Sequence, residues 1–465
     1  MHDSASVLER PGTRTGRSVL EEVEKIANSA SGAKTLVIGG GGREYSIVEQ
    51  LASELSETDI IYCAPGNVGM RRIKRNVLTV PIGAGEIAKL ADFAEENKIA
   101  MTIVGPDDPL ADGIVDYFAG RGLKIFGPTQ RAAMIESSKV FSYRFMRRHN
   151  ITTPDSMVAD DPHDALVYGK NLLRQYGAGV IKADGLAVGK GAVPYFTEKQ
   201  LGDAIGAIAK LRSAGERMLV QKFVKGQECS FICWTDGERV VPMIPAQDHK
   251  EIYDKVEEKG GLWVPTNIHP NPNTGGMGAY TRPWISRGLE KRIMREVMVS
   301  AVQGMAEENR KFRGVLYAGL MITEEPDPSK REIYVLEFNA RYGDPETQAV
   351  MRLLKSGLVS TTFACVEGNL DKAKPEWKAG ESCYVGLATR GYPVEKDYRN
   401  NLGKTIRGLD SETLRRMGED GVGVVHAGTD YRNGFFVNNS GRVLGVGAIG
   451  KDLREARAKC YRWIG

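Results

Sequence analysis

The sequence predicts a multidomain protein of mixed α/β and α+β class, with a doubly wound parallel sheet towards its N-terminus and a β-rich unit at its C-terminal end. Three observations predict this. The chain has 465 residues, more than one hydrophobic core organises. Over roughly 34–136, short apolar runs alternate with segments of helical spacing. Beyond about residue 220 the pattern changes to longer β-rich runs.

The first region supplies the strands "TLVIG", "DIIYCAPG", "MTIVGPDDP" and "LKIFGPT", separated by helical patterns such as Ile47, Leu51 and Leu55. Ligands of parallel sheets bind at strand C-termini, and here those ends read "GGGGRE", "APGNVG", "VGPDDPL" and "FGPT". "SFICWTDGERVVPMIPAQ" and "REIYVLEFNARYGDPE" carry the later β pattern, and a last β-rich unit opens near "ESCYVGLATRGYP". Residues 1–33 lack the apolar centre of a signal peptide and carry Glu21, Glu22 and Glu24, so an extension is expected, irregular first and then a short helix.

Composition excludes several classes. With 63 Lys and Arg against 59 Asp and Glu, the net charge of +4 gives no reason to invoke nucleic acid or an anionic membrane. The short runs "RRIKR" and "RFMRRH" read as solvated helix faces. No stretch approaches ~20 uninterrupted apolar residues, so no membrane span is predicted. The six cysteines form no CxxC pair and fit a reducing, cytoplasmic compartment.

The stretch "KTLVIGGGGREYS" raises a dinucleotide reading, which fails. With Gly39 and Gly41 in place, the third glycine position holds Glu44. The second strand ends in "YCAPG", with no carboxylate for a ribose diol. A glycine turn feeding a helix N-terminus remains, suited to a phosphate, with Arg43 beside it. A ligand-free tight turn fits the stretch taken alone. "APGNVG" on the neighbouring strand favours the phosphate.

"VIKADGLAVGKGAV" fails the Walker pattern, because three residues separate Gly185 from Gly189 and Gly191 follows Lys190. It reads as a hairpin whose glycine-rich tip can cover a polyphosphate, or as an ordinary turn. In "YVLEFNARYGDPE", residues two apart share a strand face, so Glu337, Asn339 and Arg341 point one way and Leu336, Phe338 and Ala340 pack. A carboxylate and an amide oxygen so placed suit Mg²⁺, with Arg341 ready for a phosphate or carboxylate. An exposed polar strand face is the plainer reading of this piece alone.

"FGPTQRAAMIESSK", "VIKADGLAVGKG", "GQECSF", "PNTGGMGAY" and "LEFNARYGDPETQ" occur in a familiar order. Through them the chain resembles the phosphoribosylamine–glycine ligase family of purine biosynthesis, from about Lys34 to near Gly450. The resemblance implies an ATP-grasp domain over 137–362, with a mobile subdomain near 155–220. It also implies a phosphoribosylamine domain over 34–136, a C-terminal β-rich domain over 363–465, and a monomer or homodimer. The implied reaction ligates glycine to 5-phosphoribosylamine through glycyl phosphate, with ATP and Mg²⁺ or Mn²⁺ and no nucleic acid or membrane partner.

By the same resemblance, Lys139, Lys182, Gly185, Gly189, Lys190 and Gly191 contact the nucleotide. Gln221, Phe223 and Val224 form the adenine hinge, and Glu228 holds the ribose. Glu337 and Asn339 take the metal. Catalysis falls to Arg341, Lys190 and Asp248, with Asp248, Gly275, Gly276 and Arg341 near glycine. Gly41, Gly42, Arg43, Glu44, Pro65, Gly66, Asn67 and Gly69 line the phosphoribosylamine site.

Four departures stand out. The family's "GGREHA" becomes Arg43-Glu44-Tyr45-Ser46; Gln221 replaces a Glu; the end "AKCYRWIG" is short; and Glu251–Asn271 is a longer segment than the family has there. Tyr45 and this insertion also fit a diverged ligase for another amino acid and amine. A protein with reduced catalysis is disfavoured, because Lys139, Lys182, Glu228, Glu337, Asn339 and Arg341 are all present.

Overall fold

The structure is a computed structural model that describes residues 32–186, 191–211, 217–252, 256–259, 262–265, 273–281 and 284–464. The expectations for Gly189 and Lys190, and almost all of that for the extension, lie outside the described residues.

Five parallel strands form the first sheet: β1 (Lys34–Gly39), β2 (Ile60–Pro65), β3 (Val77–Thr79), β4 (Met101–Val104) and β5 (Ile125–Phe126). Their order is β3-β2-β1-β4-β5. The two faces of β1 pack into different cores, Leu36 and Ile38 into one and Val37 into the other, so this run is apolar without alternation and fully buried. The order reverses between β1 and β4, the point at which such sheets bind ligands. Helix Gly42–Glu54 follows β1 at once, and Glu44 Oε2 accepts the Gly41 N–H at 2.7 Å.

A four-stranded antiparallel sheet follows, made of β6 (Ser156–Ala159), β7 (Gly179–Ala183), β8 (Ala192–Tyr195) and β9 (Met218–Lys222) in the order β6-β9-β7-β8. It has its own core of Ile181, Tyr195, Leu201 and Val220. β7 and β8 pair from Gly179↔Tyr195 to Lys182↔Ala192, the hairpin that the glycine-rich segment predicts.

The largest sheet is built from β10 (Gln227–Thr235), β11 (Val240–Pro242), β12 (Ala246–Glu251), β15 (Asn273–Thr281), β16 (Gly314–Ile322) and β17 (Ile333–Asn339). Between β12 and β15, β13 (Val256–Lys259) and β14 (Leu262–Pro265) form a separate two-stranded hairpin within the insertion. β18 (Leu354–Ser356) and β19 (Glu376–Trp377) make another small pair. The C-terminal strands β20 (Glu381–Ala388), β21 (Val422–His426) and β24 (Arg442–Gly450) extend the large sheet in the order β17-β16-β10-β12-β15-β20-β24-β21. β22 (Thr429–Arg432) and β23 (Phe435–Asn438) pair beside it. Pairing of Ala279 with Tyr384 carries the sheet from the central into the C-terminal unit.

One continuous core joins the first sheet to the large one, through Ile135, Phe145, Phe231, Phe312 and Phe338. The loops after β1 and β2 are thereby held in a fixed relation to β17. β17 itself departs from strict alternation. Gly319 pairs with Glu337 and Leu320 with Val335, so Leu336 is an extra, bulged residue. Val335 and Phe338 fill the core, and Leu336 leaves the inward set expected of it.

Candidate active site

Two successive helix starts bring the first cation into place. Thr129 caps helix Gln130–Ser137, and Ser138 Oγ accepts the Phe141 N–H at 3.0 Å to start helix Lys139–Arg148. Asp184 Oδ1 fastens that start to the end of β7, accepting from Ser138 Oγ at 2.8 Å and from the Val140 N–H at 3.2 Å. Lys139, in the first helical position, then reaches Glu337 Oε2 at 3.1 Å across 198 residues of chain.

The bulge on β17 supplies the second contact. It frees the Leu336 carbonyl from regular pairing, and Lys182 Nζ donates to that oxygen at 2.8 Å. Lys182 lies on β7, so this bond ties the small sheet to the large one at the site. A third ammonium, Lys250 on β12, sits 3.0 Å from Glu228 Oε2 and 3.7 Å from Asp248 Oδ2.

The charges act on one another strongly. Lys139, then Lys250 and Lys182, hold the Glu337 carboxyl well below the usual carboxylate range. Burial, reinforced by Lys139 and Lys250, pushes Lys182 down to about 8, with Glu337 opposing. Burial raises the Asp248 carboxyl although Lys250 pulls the other way, and Asp248 and Glu228 keep Lys250 charged. Three ammonium groups gathered at one site, with Lys182 bonded to a carbonyl and not to a carboxylate, suit an incoming polyanion.

Asn339 is buried at the end of β17, where its Oδ1 accepts from Arg341 Nη2 at 3.3 Å. Arg341 also pairs with the buried Glu136 at 2.9 Å, whose other oxygen accepts the Ala340 N–H at 2.7 Å. Arg341 Nε is a buried donor with no hydrogen-bond partner among the described residues.

The first glycine loop stands against this region. Arg43 turns inward, its Nε on Glu44 Oε1 at 2.6 Å and its Nη1 on the Tyr342 carbonyl at 3.2 Å. The same carbonyl accepts from Arg341 Nη1 at 3.2 Å, so one oxygen joins the two arginines. A Cβ on Gly40 would lie 2.5 Å from the Gly66 carbonyl, and Gly66 has φ +67, so each of the loops after β1 and β2 needs its glycine. Gly66 follows the cis Ala64–Pro65 bond. Asn67 bridges these loops to the C-terminal unit, donating to the Gly40 carbonyl at 2.9 Å and the His426 carbonyl at 3.1 Å. Its oxygen accepts the Gly69 N–H at 2.9 Å, and a Cβ on Gly69 would meet the His426 ring. Tyr45 is buried with its ring 5.8 Å from that of His426, a packing role for the departure at this position.

At the far end, the Gln221 side chain is buried and donates to Ser156 Oγ at 3.1 Å. Its exchange for the family's Glu thus falls on a packed side chain. Phe223 meets the exposed Phe196 ring edge-on at 5.4 Å. Gly185 has φ +115, and Gly191 accepts the Ala183 N–H at 2.8 Å at the base of the hairpin. Gly276 has φ +107, and a Cβ there would lie 2.3 Å from Pro345 Cδ. Gly275 and Gly276 therefore lie directly against the loop that follows Arg341.

Lys250, Asp184 and Glu136 were not singled out by sequence reasoning. Lys250 was detectable, since it lies two residues beyond Asp248 and so on the same strand face. Asp184 and Glu136 act through partners 46 and 204 residues away, and no local pattern marks them.

Comparison with known proteins bears on the whole arrangement. Residues 33–136 match the N domain of phosphoribosylglycinamide synthetase, 137–347 its ATP-grasp (A) domain, and 382–465 its C domain. The chain is 41% identical over 434 residues to a phosphoribosylamine–glycine ligase of Vibrio cholerae, covering 92% of this chain and 94% of that protein. It is 42% identical over 436 residues to that of Escherichia coli strain K12, with coverage of 92% and 94%. The crystal structure of a phosphoribosylamine–glycine ligase from Thermotoga maritima superimposes with a TM-score of 0.69 at 26% identity, covering 93% and 96%. A biotin carboxylase domain from Hydrogenobacter thermophilus, 14% identical with a TM-score of 0.63, shares the fold alone. With the N, ATP-grasp and C domains all matched in order, this chain belongs to the phosphoribosylamine–glycine ligase family.

Proposed function

We propose that this protein joins glycine to 5-phosphoribosylamine, converting ATP to ADP and phosphate and giving glycinamide ribonucleotide. The observation that carries the reading is the meeting of Lys139, Lys182 and Glu337, from three separate elements, beside Asn339 and Arg341. In the first step a glycine carboxylate oxygen bonds to the γ-phosphorus as the bond to the β-phosphate oxygen breaks, leaving glycyl phosphate and ADP. In the second, the amine nitrogen bonds to the acyl carbon, phosphate departs, and the nitrogen loses a proton.

The first step moves negative charge from a carboxylate oxygen to a phosphate oxygen and the second releases phosphate as the amine nitrogen gives up one proton, so neutralisation and positioning of the phosphates lead. Lys139 and Lys182 are assigned to the phosphates, and Lys190 and the glycines at 185, 189 and 191 to the cover over them. The hinge at Gln221, Phe223 and Val224 takes adenine, and Glu228 the ribose. Arg341, with its unpartnered Nε, is assigned to the transferring phosphate and the glycine carboxylate, with Asp248 and Gly275–Gly276 shaping that pocket. The loops with Gly41, Gly42, Arg43 and Glu44, and with Pro65, Gly66, Asn67 and Gly69, are assigned to the sugar phosphate.

The donor set at β17 fits a hard divalent cation. Glu337 and Asn339 offer two oxygens, and no cluster of three His, Cys, Asp or Glu able to hold a metal occurs among the described residues. Such a half-built site suits Mg²⁺ or Mn²⁺ whose remaining ligands are phosphate oxygens and water. When bound, the ion supplies charge neutralisation at the triphosphate.

Two tests follow from this reading. Incubation with MgATP, 5-phosphoribosylamine and a panel of amino acids should give ADP with glycine alone and a product of glycinamide ribonucleotide mass. Equal or better turnover with another amino acid would assign the insertion carrying β13 and β14 to a changed substrate. The second test uses pH. Polyphosphate binding stabilises charged Lys182, so nucleotide binding takes up a proton where this lysine titrates. Affinity should be constant below pH 8 and fall as pH rises through about 8, with Lys182→Met abolishing that dependence. Calorimetry in buffers of different ionisation enthalpy measures the proton uptake; its absence in the unaltered protein would contradict the assignment.

A further inference from the structure

We propose that Arg442, on the C-terminal strand β24, is a positioning residue that sets the shape of the amino-acid pocket. This rests on the ligase reading above. Arg442 is far from Gly275 and Gly276 in sequence, yet its guanidinium bonds both to them and to Asp344 in the loop after Arg341, the two walls of that pocket. Nη2 donates to Asp344 Oδ2 at 2.7 Å and Nη1 to Asp344 Oδ1 at 3.2 Å, a bidentate grip on the carboxylate three residues after Arg341. Nη1 also reaches the carbonyls of Gly275 at 3.1 Å, Gly276 at 3.3 Å and Asp344 at 3.4 Å.

The two walls have no slack between them. Gly276 accepts its positive φ only as glycine, and a side chain there would strike Pro345. A second C-terminal residue acts on the same peptides, because the Gly275 N–H donates to the Tyr392 hydroxyl at 3.3 Å. Tyr392 therefore takes the N–H of Gly275 while Arg442 takes its carbonyl. These two atoms belong to successive peptides. The Gly275–Gly276 plane is held on both sides, its carbonyl by Arg442 and its N–H by Thr274 Oγ1, to which Gly276 donates at 2.9 Å, so it resists rotation.

Asp344 is the other half of the device. Burial works against its charge, but Arg442 first, then Arg43 and Arg341, hold its carboxyl below the usual range. Gln348 Nε2 adds a donor at 2.6 Å. Asp344 thus pairs directly with the arginine of the C-terminal sheet and lies in the field of the other two arginines. Lysine cannot substitute for Arg442, since one ammonium cannot span a carboxylate and two carbonyls in a planar fork.

The test compares Arg442→Gln, Arg442→Lys and Tyr392→Phe with the unaltered protein, reading KM for glycine, KM for ATP, kcat and thermal stability. Misplacing a pocket wall should raise KM for glycine on the order of tenfold to a hundredfold in Arg442→Gln. Arg442→Lys should give little rescue, and KM for ATP should stay within about twofold, because the hydrogen bonds of Arg442 among the described residues go to Gly275, Gly276 and Asp344. Tyr392→Phe removes one oxygen without opening space, so it keeps the fold and should raise KM for glycine alone by a smaller factor. Lowered stability with both KM values unchanged would overturn the proposal, as would full rescue by lysine. Absence of glycine-dependent ADP release in the unaltered protein would overturn the ligase reading and this inference with it; activity with unaltered glycine KM in all three variants would overturn this inference alone.

Discussion

Glu337→Gln should lower ligation turnover on the order of 10³-fold while leaving the fold in place. The amide matches the carboxylate in shape but carries no charge to hold a divalent cation at the triphosphate. The same substitution should not weaken binding of metal-free ATP. Lys139, Lys182 and Lys250 remain, and the carboxylate that repels the triphosphate is gone. Affinity for metal-free nucleotide should therefore match or exceed that of the unaltered protein, while the gain in affinity on adding Mg²⁺ is lost. Calorimetric titration with and without Mg²⁺ separates the two effects. Turnover equal to that of the unaltered protein would remove the metal assignment.

The stability of Glu337→Gln carries a further sign. A carboxyl held below its usual range stabilises the folded state above the unfolded-state pKa, and that contribution is lost as pH falls through the folded value. Glu337 is in this position because Lys139, Lys250 and Lys182 surround it. The stability difference between the two proteins should be present at neutral pH and vanish in strong acid.

Arg341→Met should have the second largest effect, and on two quantities that can be separated. Glu136 and Arg341 pair at 2.9 Å with both side chains largely inaccessible to solvent. Removing the guanidinium leaves a buried carboxylate facing methionine, at a cost of about 3 kcal/mol in unfolding free energy. Adding Glu136→Gln should restore most of that loss, because the amide oxygen still accepts the Ala340 N–H. It should restore none of the turnover. Denaturant unfolding and ADP release on the single and double variants test this. Recovery of activity together with stability would mean that Arg341 serves the fold alone.

The sequence made the architecture legible wherever a pattern was local. The parallel sheet follows from apolar runs buried on both faces, as in Leu36-Val37-Ile38. The hairpin around Gly185 follows from strand-like flanks on a glycine-rich segment, and the shared face of Glu337 and Asn339 from a period of two. The bulge at Leu336 was not legible, because a register shift arises between two strands and neither strand encodes it alone. That shift matters chemically, since it exposes the carbonyl that Lys182 uses.

Long-range closure was the other hidden element. Nothing in "NNSGRVLGVG" distinguishes Arg442 from a solvated strand residue, and only the extension of the large sheet through β20 and β24 brings it to Gly275 and Asp344. Arg43 illustrates the converse. Its place after a glycine turn was plain, yet its inward pairing with Glu44 and the Tyr342 carbonyl depends on packing against a loop 299 residues away. Arg43→Ala should accordingly disturb the loop assigned to the sugar phosphate more than nucleotide binding, raising KM for the phosphorylated amine above any change for ATP.

The most direct test of the site is a crystal of the protein grown with Mn²⁺ and a non-hydrolysable ATP analogue, with anomalous scattering recorded at the manganese edge. An anomalous peak in direct contact with the Glu337 carboxylate and the Asn339 amide oxygen, with the terminal phosphates between it and Lys139 and Lys182, is the expected result. Manganese and triphosphate bound away from Glu337 and Asn339 would contradict it.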